Sequence, residues 1–359
     1  MRSILLNPGP VSLSEGVRNA VASTDLCHRE AEYFDVQDEV ITGLLQVYDC
    51  ERQAWAAVLM GGSGTTAMEA MLASLLPSHS RLLVIENGIY GERLSRIAEI
   101  HALEHAAMRL DWGAGIDLAA LGELLGAGGF SHLAAVHHET TTGRLNDVAA
   151  IADLCEQHGV SLLLDSVSAF GAEAVPFDSP AVMAVAATAN KCLHGIPGLA
   201  IVLCRRKALE QAPTARSLTL HLPDWASHQA RRSTPYTPPV NAVLALSQAL
   251  RELRDQGGWQ ARGTHYRKLA GQVATTLGAL GVDPWLPAAE SSCALRSYRL
   301  PPGMDYNALH AGLKQRGFII YAGQGGLFNE LFRLSTMGEI SAYDMARLQQ
   351  ALRAVIAGR

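Results

Sequence analysis

The chain has 359 residues, of which 48% are hydrophobic and 18% charged, and its net charge is -5. That balance excludes disordered and fibrous classes and suits one large domain plus one small one. With an acidic excess and no basic stripe, nucleic acid is not an expected partner, and no run approaches the roughly 20 apolar residues of a membrane span.

Ile4–Leu6 is an apolar opening too short for a secretory signal, and Asn7-Pro8-Gly9-Pro10 follows it. Short apolar runs and helical patterns then alternate. Strands are expected at Ala56–Met60, Arg81–Ile85, His132–Val136, Val160–Leu164, Val182–Ala186 and Leu199–Cys204. Helices are expected between them at Thr65–Leu76, Tyr90–Ile100 and Val148–His158. This alternation predicts βαβ units and a mostly parallel sheet covered on both faces, with ligands bound beyond the carboxyl ends of its strands. From about Val240 the pattern changes. Helices are expected at Val240–Gln256, Tyr266–Leu280, Tyr306–Arg316 and Ser341–Ile356, with short strands at Ala294–Tyr298, Phe318–Tyr321 and Leu331–Ser335. The fold class is therefore α/β, with three segments: 1–15 at the active site, a large domain over 16–245 and a small α/β domain over 246–359. The six cysteines (Cys27, Cys50, Cys155, Cys192, Cys204, Cys293) form no CxxC pair. No zinc site or disulfide framework is expected, and a reducing cytoplasm fits.

The chemistry-bearing residues fall at expected strand ends. Gly61-Gly62-Ser63-Gly64-Thr65-Thr66 joins a strand to a helix. Its glycines allow close backbone approach, and a helix N-terminus offers free N–H groups and a positive dipole end to a phosphate. The spacing matches neither a P-loop nor GxGxxG; a plain tight turn is the other reading. Asp165 closes the apolar strand Leu162-Leu163-Leu164. A carboxylate there needs a reason to stay ionised. A pyridinium N–H is one such reason and a helix cap is the alternative. Lys191, in Ala189-Asn190-Lys191-Cys192-Leu193-His194-Gly195, has no carboxylate beside it in sequence. Desolvation would lower its pKa and make it a nucleophile and proton shuttle; a solvated loop lysine is the bland alternative. Cys192 reads as a structural thiol. Tyr90, in Asn87-Gly88-Ile89-Tyr90-Gly91, could stack on a flat ring or sit in the core. His138-Glu139-Thr140-Thr141-Thr142-Gly143 offers hydroxyl donors or merely a polar turn. Arg333, in Phe332-Arg333-Leu334-Ser335, is either a bidentate clamp for an acid group or half of an ion pair within its domain.

Taken in order along nearly the whole chain, these motifs resemble the class V aminotransferases of the fold-type I pyridoxal-5'-phosphate (PLP) superfamily. The likeness is sharpest at Ala189-Asn190-Lys191-Cys192-Leu193-His194-Gly195-Ile196-Pro197-Gly198. Within that family the chain is most similar to the 2-aminoethylphosphonate–pyruvate transaminases. The resemblance implies a large domain with a mostly parallel seven-stranded sheet plus a small C-terminal α/β domain. It also implies PLP as cofactor. Lys191 is then the Schiff-base lysine and carries the proton between Cα and C4'. Asp165 pairs with the ring nitrogen, and Ser63, Gly64 and Thr65 hold the phosphate. Tyr90 stacks on the ring, and Thr140 lies near the phenolate oxygen. Thr237 reaches the cofactor of the neighbouring subunit, which implies a homodimer with shared active sites. Arg333 binds the acid group of amino donor and keto-acid acceptor in turn, and Gly9 lies beside the substrate.

A phosphonate carries up to two charges, so a second cation near Arg333 is expected, with Arg29 first and Arg231 and Arg232 next. His194 stands where glutamine is expected, and Cys27-His28-Arg29-Glu30 resembles a stretch of alanine–glyoxylate and serine–pyruvate transaminases. Those activities are the first alternative. A lyase or desulfurase of the same fold is the second, although no cysteine in the C-terminal half looks reactive. A PLP-binding sensor is the third, and no fused DNA-binding segment favours it.

Overall fold

The central sheet has seven strands: β1 (Trp55–Gly62), β2 (Leu82–Glu86), β3 (His105–Arg109), β4 (His132–Val136), β5 (Ser161–Asp165), β6 (Val182–Thr188) and β7 (Gly198–Arg205). The computed structural model describes residues 3–358. Strand order across the sheet is β1-β7-β6-β5-β4-β2-β3. Only β7 runs antiparallel to its neighbours, pairing with β1 on one side and β6 on the other. The remaining pairs are parallel, so β1, β2, β4, β5 and β6 all end at one edge of the sheet.

The middle strands are apolar on both faces because helices cover both. Leu162 and Leu164 of β5 face one core cluster and Leu163 the other. Continuous apolar runs are what a two-sided parallel sheet requires, and each fully buried leucine contributes about 1.5–3 kcal/mol. The expected strands and helices of this half are all present, with ends moved by a residue or two. Strand β3 was not expected from the sequence, and the reason is physical. It is the edge strand, and of His105-Ala106-Ala107-Met108-Arg109 only Met108 is buried, so its apolar run is just three residues, two of them alanine, between polar neighbours.

The small domain centres on a three-stranded antiparallel sheet in which Leu331–Ser335 lies between Leu295–Arg299 and Tyr321–Ala322. Its core includes Leu269, Val273, Phe318, Phe332 and Leu348, together with Ile4 and Leu6 from the N-terminal segment. Ile4–Leu5 pairs in parallel with Phe318–Ile319. We propose that the domains part at Gly257-Gly258 instead of 245/246. Helix Val240–Asp255 runs unbroken across that position and buries Ala242, Val243, Leu246 and Leu250 against the large domain. Both glycines have positive φ, 96° and 76°, and turn the chain into the next helix, Gly258–Gly278.

Candidate active site

Lys191 follows β6 in a loop that is tied from several sides. Gly195 N donates to Ala189 O at 2.8 Å, and Arg262 Nη1 of the small domain donates to Cys192 O at 2.7 Å. His194, buried at φ 65°, accepts the Gly338 N–H on Nε2 at 2.9 Å and hydrogen-bonds the Tyr266 hydroxyl. Its environment, chiefly burial, holds its pKa far below the usual histidine range, so this histidine is a neutral strut between the domains. Lys191 itself donates to Pro8 O. Gly9 lies against its stem: a Cβ at Gly9 would come within 2.7 Å of Lys191 Cδ, and Gly9 has φ 116°. The N-terminal segment thus passes directly over the lysine. The chain has four lysines; Lys207, Lys268 and Lys314 are exposed, and Lys191 alone is half-buried. Burial pushes its amine down to about 8, and the cations Arg333 and Arg93 act in the same direction against Asp165.

Asp165 ends β5 and is 3% exposed. Its Oδ1 accepts Val167 N at 3.0 Å, an Asx turn. No helix follows it, so the helix-cap alternative does not hold. Among the described residues its other oxygen has no hydrogen-bond partner. Burial pushes the carboxyl up to about 6, with Arg93 and Lys191 pulling it back. A cationic N–H placed at the open oxygen would favour the ionised form.

At the end of β1, Ser63 caps helix Gly64–Leu75. Its Oγ accepts Thr66 N at 3.4 Å, and Thr66 Oγ1 accepts Ser63 N at 3.0 Å. That capping box uses the Ser63 hydroxyl and leaves the Gly64 and Thr65 N–H groups open to an anion. A Cβ at Gly64 would strike Val167 at 2.5 Å, so glycine allows the loop to close on the turn after Asp165.

Tyr90 is half-buried on the first turn of helix Ile89–Ile100. The guanidinium of Arg93, one turn later, lies 4.6 Å from its ring centroid and donates to Thr65 Oγ1 at 3.1 Å. Arg93 has no carboxylate partner among the described residues. Sequence reasoning missed it, although the i, i+3 spacing from Tyr90 puts both on one helix face. Glu139 was also missed as a functional residue. It is fully buried, and its carboxylate accepts Thr141 N, Thr141 Oγ1, Tyr90 N and Gly91 N at 2.6–3.4 Å. It thereby caps the helix that carries Tyr90 and Arg93, where Gly88 supplies no side chain. Burial nonetheless pushes it up to about 7.

Thr140 is buried, and its hydroxyl bonds no described residue; its carbonyl accepts Arg333 Nη1 at 2.8 Å. Arg333 is 3% exposed. Its Nε donates to Ala322 O at 2.8 Å, and Nη1 donates also to Gln324 Oε1 at 3.1 Å. No described carboxylate pairs with it, so the intradomain ion pair does not form, and a buried cation faces the side where Lys191 lies. The expected second cation is not beside it within one protomer. Arg29 is exposed on a turn, Arg231 is exposed, and Arg232 pairs with Asp35 and Asp38 at 2.7 and 2.9 Å. Thr237 is also exposed, on a segment whose Pro239 abuts Gly61.

Cys192 is buried, and its thiol is pushed up to about 12 by burial. Burial likewise raises Cys293 far above the usual thiol range. Neither thiol is set up for nucleophilic attack, which removes the basis of a desulfurase reading.

This set fits a planar pyridine phosphate: a nucleophilic lysine, a buried carboxylate with an open oxygen, an anion cup backed by an arginine, and an aromatic beside it. Comparison with known proteins points the same way. The model of the aminotransferase class-V family matches residues 56–325. The 2-aminoethylphosphonate–pyruvate transaminase of Vibrio cholerae serotype O1 is 35% identical, covering 98% of this chain and 97% of that protein. The transaminase of the same name from Syntrophobacter fumaroxidans is 36% identical over 98% of this chain and 95% of its own. Among solved structures, an aspartate aminotransferase from Thermus thermophilus superposes with TM-score 0.90 at 28% identity, covering 99% of both chains. An alanine–glyoxylate aminotransferase from Nostoc sp. superposes with TM-score 0.91 at 24% identity, over 99% of this chain and 95% of that one, a likeness of fold alone. The chain belongs to the class-V aminotransferases and has the fold-type I architecture of PLP-dependent enzymes.

Proposed function

We propose that the enzyme uses PLP to transfer the amino group of 2-aminoethylphosphonate to pyruvate, giving phosphonoacetaldehyde and L-alanine. The observation that carries this reading is Arg333, a buried guanidinium without a carboxylate partner, close enough to Lys191 to depress its amine. Such a group needs an anionic partner, and both substrates bring an acid group. The full-length similarity to transaminases of that name supports the choice of donor.

In this reading Ser63, Gly64 and Thr65 hold the cofactor phosphate through the helix N-terminus, and Arg93 neutralises part of its charge. Asp165 holds the ring nitrogen protonated, and Tyr90 covers the ring. Thr140 offers its hydroxyl to the phenolate oxygen. PLP supplies an electron sink for the carbon that loses its proton. Lys191, with its amine near 8, would be the base that takes the Cα proton of the donor and the acid that returns one in the half-reaction with the keto acid. Arg333 binds phosphonate in one half-reaction and carboxylate in the other. The Pro8-Gly9 strap shields the lysine from water. Thr237 reaches the cofactor of a second copy, so the active form is a homodimer, and Arg29 contributes to the acid pocket from such an assembly. Six free cysteines support a reducing, cytoplasmic setting. No helix among the described residues is long and apolar enough to cross a membrane.

A second reading, an alanine–glyoxylate or serine–pyruvate type activity, is favoured by one observation: Arg232 is spent on Asp35 and Asp38, and Arg29 and Arg231 are exposed, so none of the three expected second cations is placed beside Arg333 within one protomer. The two are separated by adding 2-aminoethylphosphonate, alanine or serine to the PLP-loaded enzyme without any keto acid. The main reading expects rapid loss of the visible cofactor band with the phosphonate and its return with pyruvate. Bleaching by alanine or serine while the phosphonate does nothing moves the function to the second reading.

A further inference from the structure

The partners of Arg333 fix more than its own position. Nε is spent on Ala322 O, and Nη1 on Thr140 O and Gln324 Oε1. Nη2 bonds no described residue, so it is the edge left for a ligand. Arginine only donates hydrogen bonds. The oxygen of Gln324 must therefore face it, and this settles the orientation of the carboxamide, with Nε2–H pointing away from Nη1. Gln324 is half-buried, and its Nε2 bonds no described residue, which leaves two N–H donors unused. The loop is held there: Gln324 caps the short helix Gly325–Asn329, and Gly323 N donates to Leu331 O at 2.8 Å. Gly325, at φ 52°, lies against Trp112 of the large domain, whose Nε1 donates to Glu92 at 2.7 Å.

We propose that Gln324 is a substrate-binding residue that sets the choice between phosphonate and carboxylate, an inference that rests on the transaminase reading above. With Nε and both Nη1–H groups spent, Arg333 offers only Nη2, which meets one oxygen of an acid group directly and leaves a carboxylate's second oxygen to solvent. A phosphonate has a third oxygen, out of the plane a carboxylate would occupy, and the Gln324 Nε2–H group supplies its donor. The amide stands where a second cation was expected, so the pocket of one protomer binds a phosphonate through one charge plus a neutral donor.

The test uses the PLP-loaded enzyme and compares 2-aminoethylphosphonate with L-alanine as sole amino donors, by the rate of cofactor-band loss. Gln324→Met keeps the side-chain length and removes both polar atoms. It is expected to lower kcat/KM for the phosphonate about tenfold more than for alanine, the worth of a hydrogen bond to a charged group. Gln324→Lys restores a donor and is expected to keep the phosphonate-to-alanine ratio at or above the wild-type value. An unchanged cofactor band in both variants confirms an intact site. Equal losses for the two donors in Gln324→Met would show that Gln324 only positions Arg333, and would overturn the inference while leaving the transaminase reading standing. A wild-type enzyme that reacts with alanine and not with the phosphonate would overturn both, before any variant is made.

Discussion

The cofactor side of the site is assembled from the ends of five strands of one sheet, β1, β2, β4, β5 and β6. The acid-binding side hangs on one strand of the small domain, Leu331–Ser335, and the loop at 323–326. On the cofactor side, the strands that carry these residues pack into two large core clusters, and the carboxylate of Glu139 buttresses the helix of Tyr90 and Arg93. On the acid side, Arg333 is held by two carbonyls and one amide, with no described carboxylate hydrogen-bonded to it. The proposed cofactor-binding groups thus sit at strand ends of the large sheet, while the proposed acid clamp rests on a few hydrogen bonds that a loop substitution can alter.

The strongest way to break the comparison is at Lys191. Lys191→Ala should remove the lysine-bound cofactor band and lower turnover by about a thousandfold or more, the scale of a lost proton-transfer group; absorbance and single-turnover rates check this. Arg333→Gln should leave that band intact and lower kcat/KM for both acid substrates on the order of a hundredfold. Because Arg333 helps to depress Lys191, whose amine lies at about 8, the variant should also shift the pH midpoint of cofactor capture by the apo-protein upward. An unchanged midpoint would show that the two halves do not communicate through charge.

Glu139 offers a smaller effect, on stability. Its carboxyl is raised from 4.5 to about 7 in the fold. The folded state therefore holds a proton that the unfolded chain releases, and this contribution is present below pH 4.5 and lost as pH rises through 7. Its size is at most about 3 kcal/mol. Glu139→Gln should flatten the fall in denaturation midpoint over that window, measured by urea unfolding at a series of pH values. Thr237→Ala should have the smallest effect, weakening cofactor binding by up to about tenfold, read by fluorescence titration, with the oligomeric state unchanged.

Much of the cofactor side was legible in the sequence, because apolar runs mark buried strands and the first polar residue after each run marks the sheet edge. Asp165 after Leu162–Leu164 and Ser63 after the glycines are examples. Arg93 was not legible by that rule, since it lies one turn into a helix and gains its role only when Thr65, from another strand end, meets it. Glu139 was quoted within a polar run, but its task depends on a long-range contact with the backbone of Tyr90 and Gly91. The acid side was legible only at Arg333. Gln324 sits in a glycine-rich loop with no periodicity, and Arg29, Arg231 and Arg232 lacked any signal to separate a surface arginine from a ligand-binding one. The proposed domain break at Gly257-Gly258 is not marked by a change of pattern, since helix Val240–Asp255 is continuous across position 245 and the two glycines follow it.

Lys191 alone should bind the cofactor covalently. Borohydride reduction of the PLP-loaded enzyme followed by peptide mass spectrometry tests it directly, since the chain has only four lysines. The account predicts the reduced adduct on Lys191 and on none of Lys207, Lys268 or Lys314. An adduct on one of those exposed lysines, with Lys191 unmodified, would contradict it.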